Sequence, residues 1–351
     1  MYVAIEQGIA EEYLKHSIAE RPLIDCLASF ASGVTFVVVQ GFEERTCGVL
    51  RTLADARVKV DRIAIARYAQ AGGFDETNTS QFEKWAARVA PKNWRVVPNH
   101  NDGEWVENAL EDACDTVVVD ITGVSNRAMF RTLDHLNDSG KNVYIAYSEA
   151  EQYWPKKSEW DDLKKHLTAH QSIAEVLDRK PWMFSYEHRV ELVPGHEGYD
   201  AGGTGRALVA FLPFKCSRLA AVLGDEDYTE KLFIAGCPPA KELGWRLDAL
   251  KDINESLTRG SRVEVMSTFG YRETLAGLGR LLFREDSLLW KYDVHLAALG
   301  SKLQTVGSWI FSRLVPSMTV LTSVPSRYYK DAFSKGIGRS WVFPLTHLKP
   351  E

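Results

Sequence analysis

The stretch TVVVDITGVSNRAMFRTLDHLNDSGKNVYIAY, residues 116–147, decides how the rest of the chain is read. Val117, Val118, Val119 and Ile121 are apolar β-formers in near-continuous order, the pattern of a strand buried on both faces of a parallel sheet. Asp120, Thr122 and Gly123 fall where that strand ends. Ser125 or Asn126 is placed to cap a following helix, whose apolar stripe is Met129, Phe130, Leu133 and Leu136. Val143 to Ala146 is the next strand. In an open parallel sheet, ligands lie beyond the carboxyl ends of strands and against helix N-termini. The segment from Asp120 to Arg127 is therefore the first place to look for a small-molecule site.

Working outward, the same alternation holds upstream. Residues 8–30 read as two short amphipathic helices and Thr35 to Val39 as a buried strand, followed by the turn Gln40 to Arg45 and a helix to Asp55. Arg62 to Ala66 is a second strand, Gly72-Gly73 and DETNTS a loop, Gln81 to Val89 a helix. Trp94 to Val97 and Glu104 to Ala113 add a third strand and its helix. This is a doubly wound α/β domain. Ser158 to Leu177 reads as an amphipathic helix, and residues 181–206 as a glycine-rich linker whose weak alternation at Phe184 to Leu192 leaves room for a β-hairpin.

The pattern then restarts. FVVVQGFEERTCGVL and LVAFLPFKCSRLAAVL share a strand, a turn phenylalanine (Phe42, Phe214), a nearby arginine (Arg45, Arg218) and an apolar helix. Matched pieces continue to Met318–Val324 at an offset of about 170 residues, which points to a duplicated architecture. The expected fold is two tandem Rossmann-like doubly wound parallel-sheet domains related by internal pseudo-duplication. The divisions are 1–150 with an N-terminal helical segment, 151–206 as helix plus linker, and 207–351 as the second domain with a basic glycine-containing tail.

Composition bounds the function. The net charge of −5 gives no general attraction for nucleic acid or anionic lipid, though it leaves room for a local basic pocket. Five scattered cysteines with no CxxC pair suggest neither a disulfide framework nor structural zinc, and read as a reducing cytoplasm. The N-terminus has neither a leader pattern nor a membrane anchor, and no run is long enough to span a bilayer. The nine histidines do not cluster, no complete catalytic set is legible, and no cofactor is expected.

Four segments carry candidate chemistry. Asp120, Thr122 and Gly123, with Ser125, Asn126 and Arg127, either hold an anion on backbone N–H groups or merely cap the helix. Gly300-Ser301-Lys302 with Gln304 is their counterpart, where a lysine after a small-residue turn suits a phosphate or is an ordinary surface lysine. In Gly41-Phe42-Glu43-Glu44-Arg45 the acidic pair repels a pyrophosphate, so Arg45 either pairs with Glu43 or Glu44 and shapes a pocket rim, or joins a solvated charge cluster. Lys335 and Arg339, among tail glycines, either fold over an anionic ligand or belong to an extension that packs Trp341.

VVVDITGVSNRAMFRTLDHL resembles the core motif of the CARF (CRISPR-associated Rossmann fold) domains, and two such units in one chain resemble the related SAVED domains. That resemblance implies sensing of a cyclic oligonucleotide in a cleft between the halves. The cleft would be lined by Thr122, Gly123, Ser125 and Asn126 in one half and Gly300, Ser301 and Lys302 in the other. It implies a sensor or regulatory subunit in prokaryotic antiviral defence, with an effector or partner protein to deliver the output. The alternatives are a nucleotide-metabolising enzyme, a glycosidase or transferase, using Asp120 or Glu43 with Arg45 orienting the substrate, and a protein-interaction scaffold.

Overall fold

The computed structural model describes residues 21–23, 25, 33–68, 76–100, 103–166, 188–199, 205–283, 288–325 and 333–345. The N-terminal helices expected before Pro22, and the second half of the helix expected to reach Leu177, lie outside them. The described residues form two compact units. One is drawn from Ile18–Trp154 together with Phe333–Glu351, and the other from Pro155–Ala332.

The first unit begins with β1 (Arg21–Pro22) and β2 (Val34–Gln40), then a 3-10 turn (Glu44–Cys47) and α1 (Gly48–Asp55). β3 (Arg62–Tyr68), α2 (Glu76–Val89), β4 (Trp94–Asn99), α3 (Trp105–Leu110), β5 (Thr116–Asp120), α4 (Asn126–Asp138), β6 (Asn142–Ser148) and β7 (Gln152–Tyr153) follow. All seven residues of β2 are buried, as are Val117, Val118 and Val119 of β5, because helices cover both faces of the sheet. DETNTS, expected as loop, lies partly within α2, which starts at Glu76.

The second unit contains α5 (Lys157–His166), β8 (His188–Leu192), β9 (Arg206–Phe211), α6 (Cys216–Asp225), β10 (Glu230–Cys237), α7 (Trp245–Thr258) and β11 (Arg262–Ser267). It continues with α8 (Tyr271–Leu282), α9 (Leu288–Lys291), β12 (Asp293–Ala297), α10 (Lys302–Leu314) and β13 (Thr319–Pro325). The chain then returns to the first unit as β14 (Ser334–Lys335) and β15 (Ser340–Pro344).

The strand orders are β1-β15-β6-β5-β2-β3-β4 and β11-β10-β9-β12-β13-β8, with a small β14-β7 pair beside the first. Numbered within each unit, the five parallel strands run 3-2-1-4-5 in both. Each sheet has an antiparallel strand on the outer side of its fifth parallel strand. This is a doubly wound α/β architecture in tandem, with a switch point between β2 and β5 in one unit and between β9 and β12 in the other. Each sheet has its own apolar core, built around Phe36, Leu50, Ile65 and Phe82 in the first unit and Leu208, Leu219, Phe233 and Leu250 in the second.

Two expected boundaries change. The tail is not part of the second domain, because β15 pairs with β6 from Ser340↔Ser148 to Pro344↔Tyr144. The segment expected as linker contributes β8, which pairs with β13. The physical reason is common to both: the fifth parallel strand exposes a row of N–H and C=O groups, and an antiparallel strand satisfies them. The first unit takes that strand from the end of the chain, the second from just before its first parallel strand. Among the described residues no helix is long and apolar enough to cross a membrane.

Candidate functional site

At the carboxyl edge of the first sheet, β5 ends in Asp120, which is wholly buried. Its Oδ1 accepts from the backbone N–H of Thr122 at 2.9 Å and from the Thr122 hydroxyl. The hydroxyl oxygen accepts in turn from the Ser148 N–H at 2.8 Å. Asp120 Oδ2 has no hydrogen-bond partner among the described residues. Burial pushes its pKa up to about 7, against the opposing pull of the Thr122 bonds and Arg45. Asp120 thus ties the ends of β5 and β6 together and is not presented to a substrate.

Gly123 follows, and its reason is steric. A Cβ there would lie 2.0 Å from the Val39 carbonyl oxygen, so β2 and the β5 turn approach closely only because residue 123 has no side chain. Ser125 caps α4, its hydroxyl accepting from Ala128 N–H at 3.2 Å, and Asn126 and Arg127 open that helix. The Tyr68 hydroxyl donates to the Gly123 carbonyl at 2.9 Å and accepts from the Ser125 N–H at 3.2 Å, pinning the turn to β3.

Gly41 and Phe42 begin the β2 loop. The Gly41 carbonyl accepts from Asn78 Nδ2 at 2.8 Å, and Phe42 packs edge-on against Phe333 at 5.1 Å. Arg45 forms a two-pronged ion pair with Glu43, at 3.0 Å from Nε and 3.1 Å from Nη2. Its Nη1 donates to the Tyr147 hydroxyl at 2.9 Å and the Ser148 carbonyl at 3.2 Å. The guanidinium also lies over the rings of Tyr147 and Tyr153, at 5.6 and 5.4 Å. Its charge is spent inside the protein.

The tail completes this edge. Ser334 bonds Glu43, and the Gly336 N–H donates to Glu44 Oε2 at 2.9 Å. The Gly338 N–H donates to the Glu149 carbonyl at 2.8 Å, and Trp341 Nε1 to the Glu149 carboxylate at 2.8 Å. Lys335 lies on β14, exposed, and Arg339 stacks on Trp341 at 4.0 Å. Residues 333–341 therefore run as a strap between the β2 loop and the end of β6, across the edge where a ligand would lie.

The second sheet's edge is built differently. Gly300 and Ser301 precede α10, whose first residue is Lys302. Ser301 and Gln304 form a reciprocal capping box: the Gln304 N–H donates to the Ser301 hydroxyl at 3.2 Å, and the Ser301 N–H to Gln304 Oε1 at 2.9 Å. Gln304 Nε2 reaches the Ser267 carbonyl at 3.0 Å. Gly300, Ser301 and Gln304 thus organise the helix start beside the switch point.

Across from them stand three basic side chains, one at the end of the β9 loop, one on α6 and one on β8. Lys215 stands at the N-cap of α6, Arg218 lies in its first turn, and His188 opens β8. Arg218 Nη1 points toward the Leu299 carbonyl at 3.4 Å, linking the β9 and β12 loops across the switch point. Burial, then Arg218, depresses Lys215 to about 8. Burial, then Arg218 and Lys215, lowers His188 to about 4. The His188 imidazole Nδ1 lies 3.0 Å from the Ser323 hydroxyl. Asn254 Nδ2 fixes the loop by donating to the Pro213 carbonyl at 2.9 Å, and Arg246 lies over Phe214 at 4.4 Å. Lys215 and Arg218 thus bring basic groups to the start of α6, beside an imidazole that burial keeps neutral down to about pH 4.

Of the residues proposed from sequence, Asp120, Thr122, Glu43 and Arg45 come together, but as a buried tie. Ser301, Lys302 and Gln304 do stand at a switch point. Lys215 and His188 were missed, and Arg218 was noted only as a repeat partner of Arg45. The signal was present: the residue after the shared phenylalanine is Glu43 in one half and Lys215 in the other. Among the described residues no cluster of His, Cys, Asp and Glu is arranged to hold a metal ion.

No family model and no curated protein matches the chain. Among solved structures, a universal stress protein from Archaeoglobus fulgidus DSM 4304 matches at 12% identity and a TM-score of 0.21, covering 82% of this chain and 95% of that chain. Overlap at that level carries no argument. The class rests on the strand orders alone: a tandem Rossmann-like α/β protein.

Proposed function

We propose that this protein binds a nucleotide-like or other anionic small molecule at the carboxyl edge of its second sheet, and that it acts as a sensor or regulatory subunit. The carrying observation is the placement of Lys215 and Arg218 at the start of α6, with His188 on β8, beside the capped start of α10, which Arg218 approaches through the Leu299 carbonyl at 3.4 Å. A phosphate there would meet two flexible cations and two helix N-termini, and would relieve the repulsion between the basic groups. The full burial of Asp120 and the closed Glu43–Arg45 pair favour binding over turnover. The CARF and SAVED resemblance supplies the setting of the reading: prokaryotic defence, a cyclic oligonucleotide as ligand, and a partner protein for output.

Calorimetric titration with inorganic phosphate, pyrophosphate, mononucleotides and cyclic nucleotides tests it. The expected result is saturable heat with at least one of them, weakened in Arg218→Gln. Folded protein that responds to none of them overturns the proposal.

A further inference from the structure

Each sheet leaves its third parallel strand at the border, β4 in the first unit and β11 in the second, and among the described residues no strand pairs with the outer side of either. Such a border presents a row of backbone N–H and C=O groups. In a parallel pair, alternate residues turn both of these groups toward the neighbour and the rest turn them away. On β4 the Asn93 carbonyl accepts from the Ile63 N–H at 2.9 Å, so Trp94, Val96 and Pro98 face outward. Pro98 has no N–H to offer, which interrupts the row.

β11 carries no such interruption. The Thr268 N–H donates to the Cys237 carbonyl at 3.0 Å, so Val263 and Val265 turn their backbone groups outward. Val265 is 45% exposed. Arg262 and Glu264, which flank Val263, form an ion pair along the strand with both side chains still partly open to solvent. Opposite charges on either side of Val263 make the strand complementary to itself read backwards. Laid antiparallel on a copy of itself with Val263 facing Val263, each Arg262 meets the Glu264 of the other strand. The neighbouring two-fold register, centred on Glu264, sets two carboxylates face to face, so charge selects the first.

We propose that β11 pairs with β11 of a second copy, antiparallel about a two-fold axis at Val263, joining two six-stranded sheets into one. Each Val263 exchanges both backbone bonds with its twin, and the Arg262–Glu264 contact recurs on either side of the axis. The blocked β4 border of the first unit takes no part. The order Arg189-Val190-Glu191-Leu192 on β8 repeats the pattern at the opposite border of the sheet, but the Glu191 side chain is only 20% exposed and reaches a second copy less readily.

Sedimentation of the full chain over a range of concentrations should show a monomer–dimer equilibrium. Glu264→Lys should raise the dissociation constant about tenfold, and the exchange Arg262→Glu with Glu264→Arg should restore it. Cysteine substitution reads the register. Val263→Cys places two thiols on residues about 5.5 Å apart between Cα atoms, within a disulfide's reach. Val265→Cys, although at the more exposed position, leaves them offset by about 13 Å along the strands. Under oxidised glutathione, with linked peptides identified by mass spectrometry against the wild-type background, Val263→Cys should link and Val265→Cys should not. A chain that stays monomeric, or equal linking of the two variants, overturns the proposal. So does a dimer that withstands Glu264→Lys and is lost in Glu191→Lys, which moves the contact to β8.

Discussion

The two carboxyl edges of this protein are built on one plan and end in opposite electrostatic states. In each, a phenylalanine in the first loop is followed by a charged residue and then an arginine. In the first unit the charged residue is Glu43, which takes up Arg45 in a buried ion pair under a strap of tail residues. In the second it is Lys215, which adds to Arg218 and His188. One change of sign separates an edge closed by a buried ion pair from an edge that gathers basic side chains. A duplicated fold does not imply a duplicated site.

The largest expected effect comes from breaking the closed edge. Glu43→Ala leaves Arg45 buried without its carboxylate and should destabilise the first unit by about 3–5 kcal/mol, measured by denaturant unfolding with hydrogen exchange assigning the loss to that unit. The corresponding change in the second unit, Lys215→Ala, removes a repulsion and should leave stability unchanged or slightly raised.

The turn glycines sharpen the contrast. Gly123→Ala places a methyl 2.0 Å from a backbone carbonyl that cannot move aside, with an expected cost of about 3 kcal/mol. Gly300→Ala meets the end of the Gln304 side chain at 2.4 Å, which can rotate away at the loss of a capping box, for about 1 kcal/mol. Thermal melts of the two variants should rank in that order.

Stability should depend on pH in opposite directions in the two halves. Asp120 titrates near 7 when folded and near 3.8 in its ordinary state. Its contribution is therefore full below about 3.8 and is lost as pH rises through 7, on the order of 4 kcal/mol. His188, lowered from 6.5 to about 4, contributes fully above 6.5 and is lost as pH falls through 4. Hydrogen exchange in each unit, comparing wild type with Asp120→Asn and His188→Gln, should show each slope removed by its own substitution.

A change of charge at one position is the most specific test. Lys215→Glu would give Arg218 the acidic partner that Arg45 already has. Phosphate binding should weaken about tenfold, or ~1.4 kcal/mol, without loss of fold. Unchanged phosphate affinity would remove the link between charge sign and site.

The alternation of buried strands with amphipathic helices determined the α/β class and its repetition, because periodicity and burial are local consequences of residue order. The turns at Gly123 and Gly300, and the cap at Ser125, were legible for the same reason. What the tertiary structure alone decided was which charges face one another. Asp120 read as a candidate acid because a sequence does not show that Thr122 and Ser148 enclose it. Arg45 read as a rim residue because its tyrosine neighbours lie about a hundred positions away. The tail read as part of the second domain because pairing of β15 with β6 is a contact across some two hundred residues. Strand edges take whichever partner satisfies their backbone groups, and no local pattern says how far along the chain that partner lies.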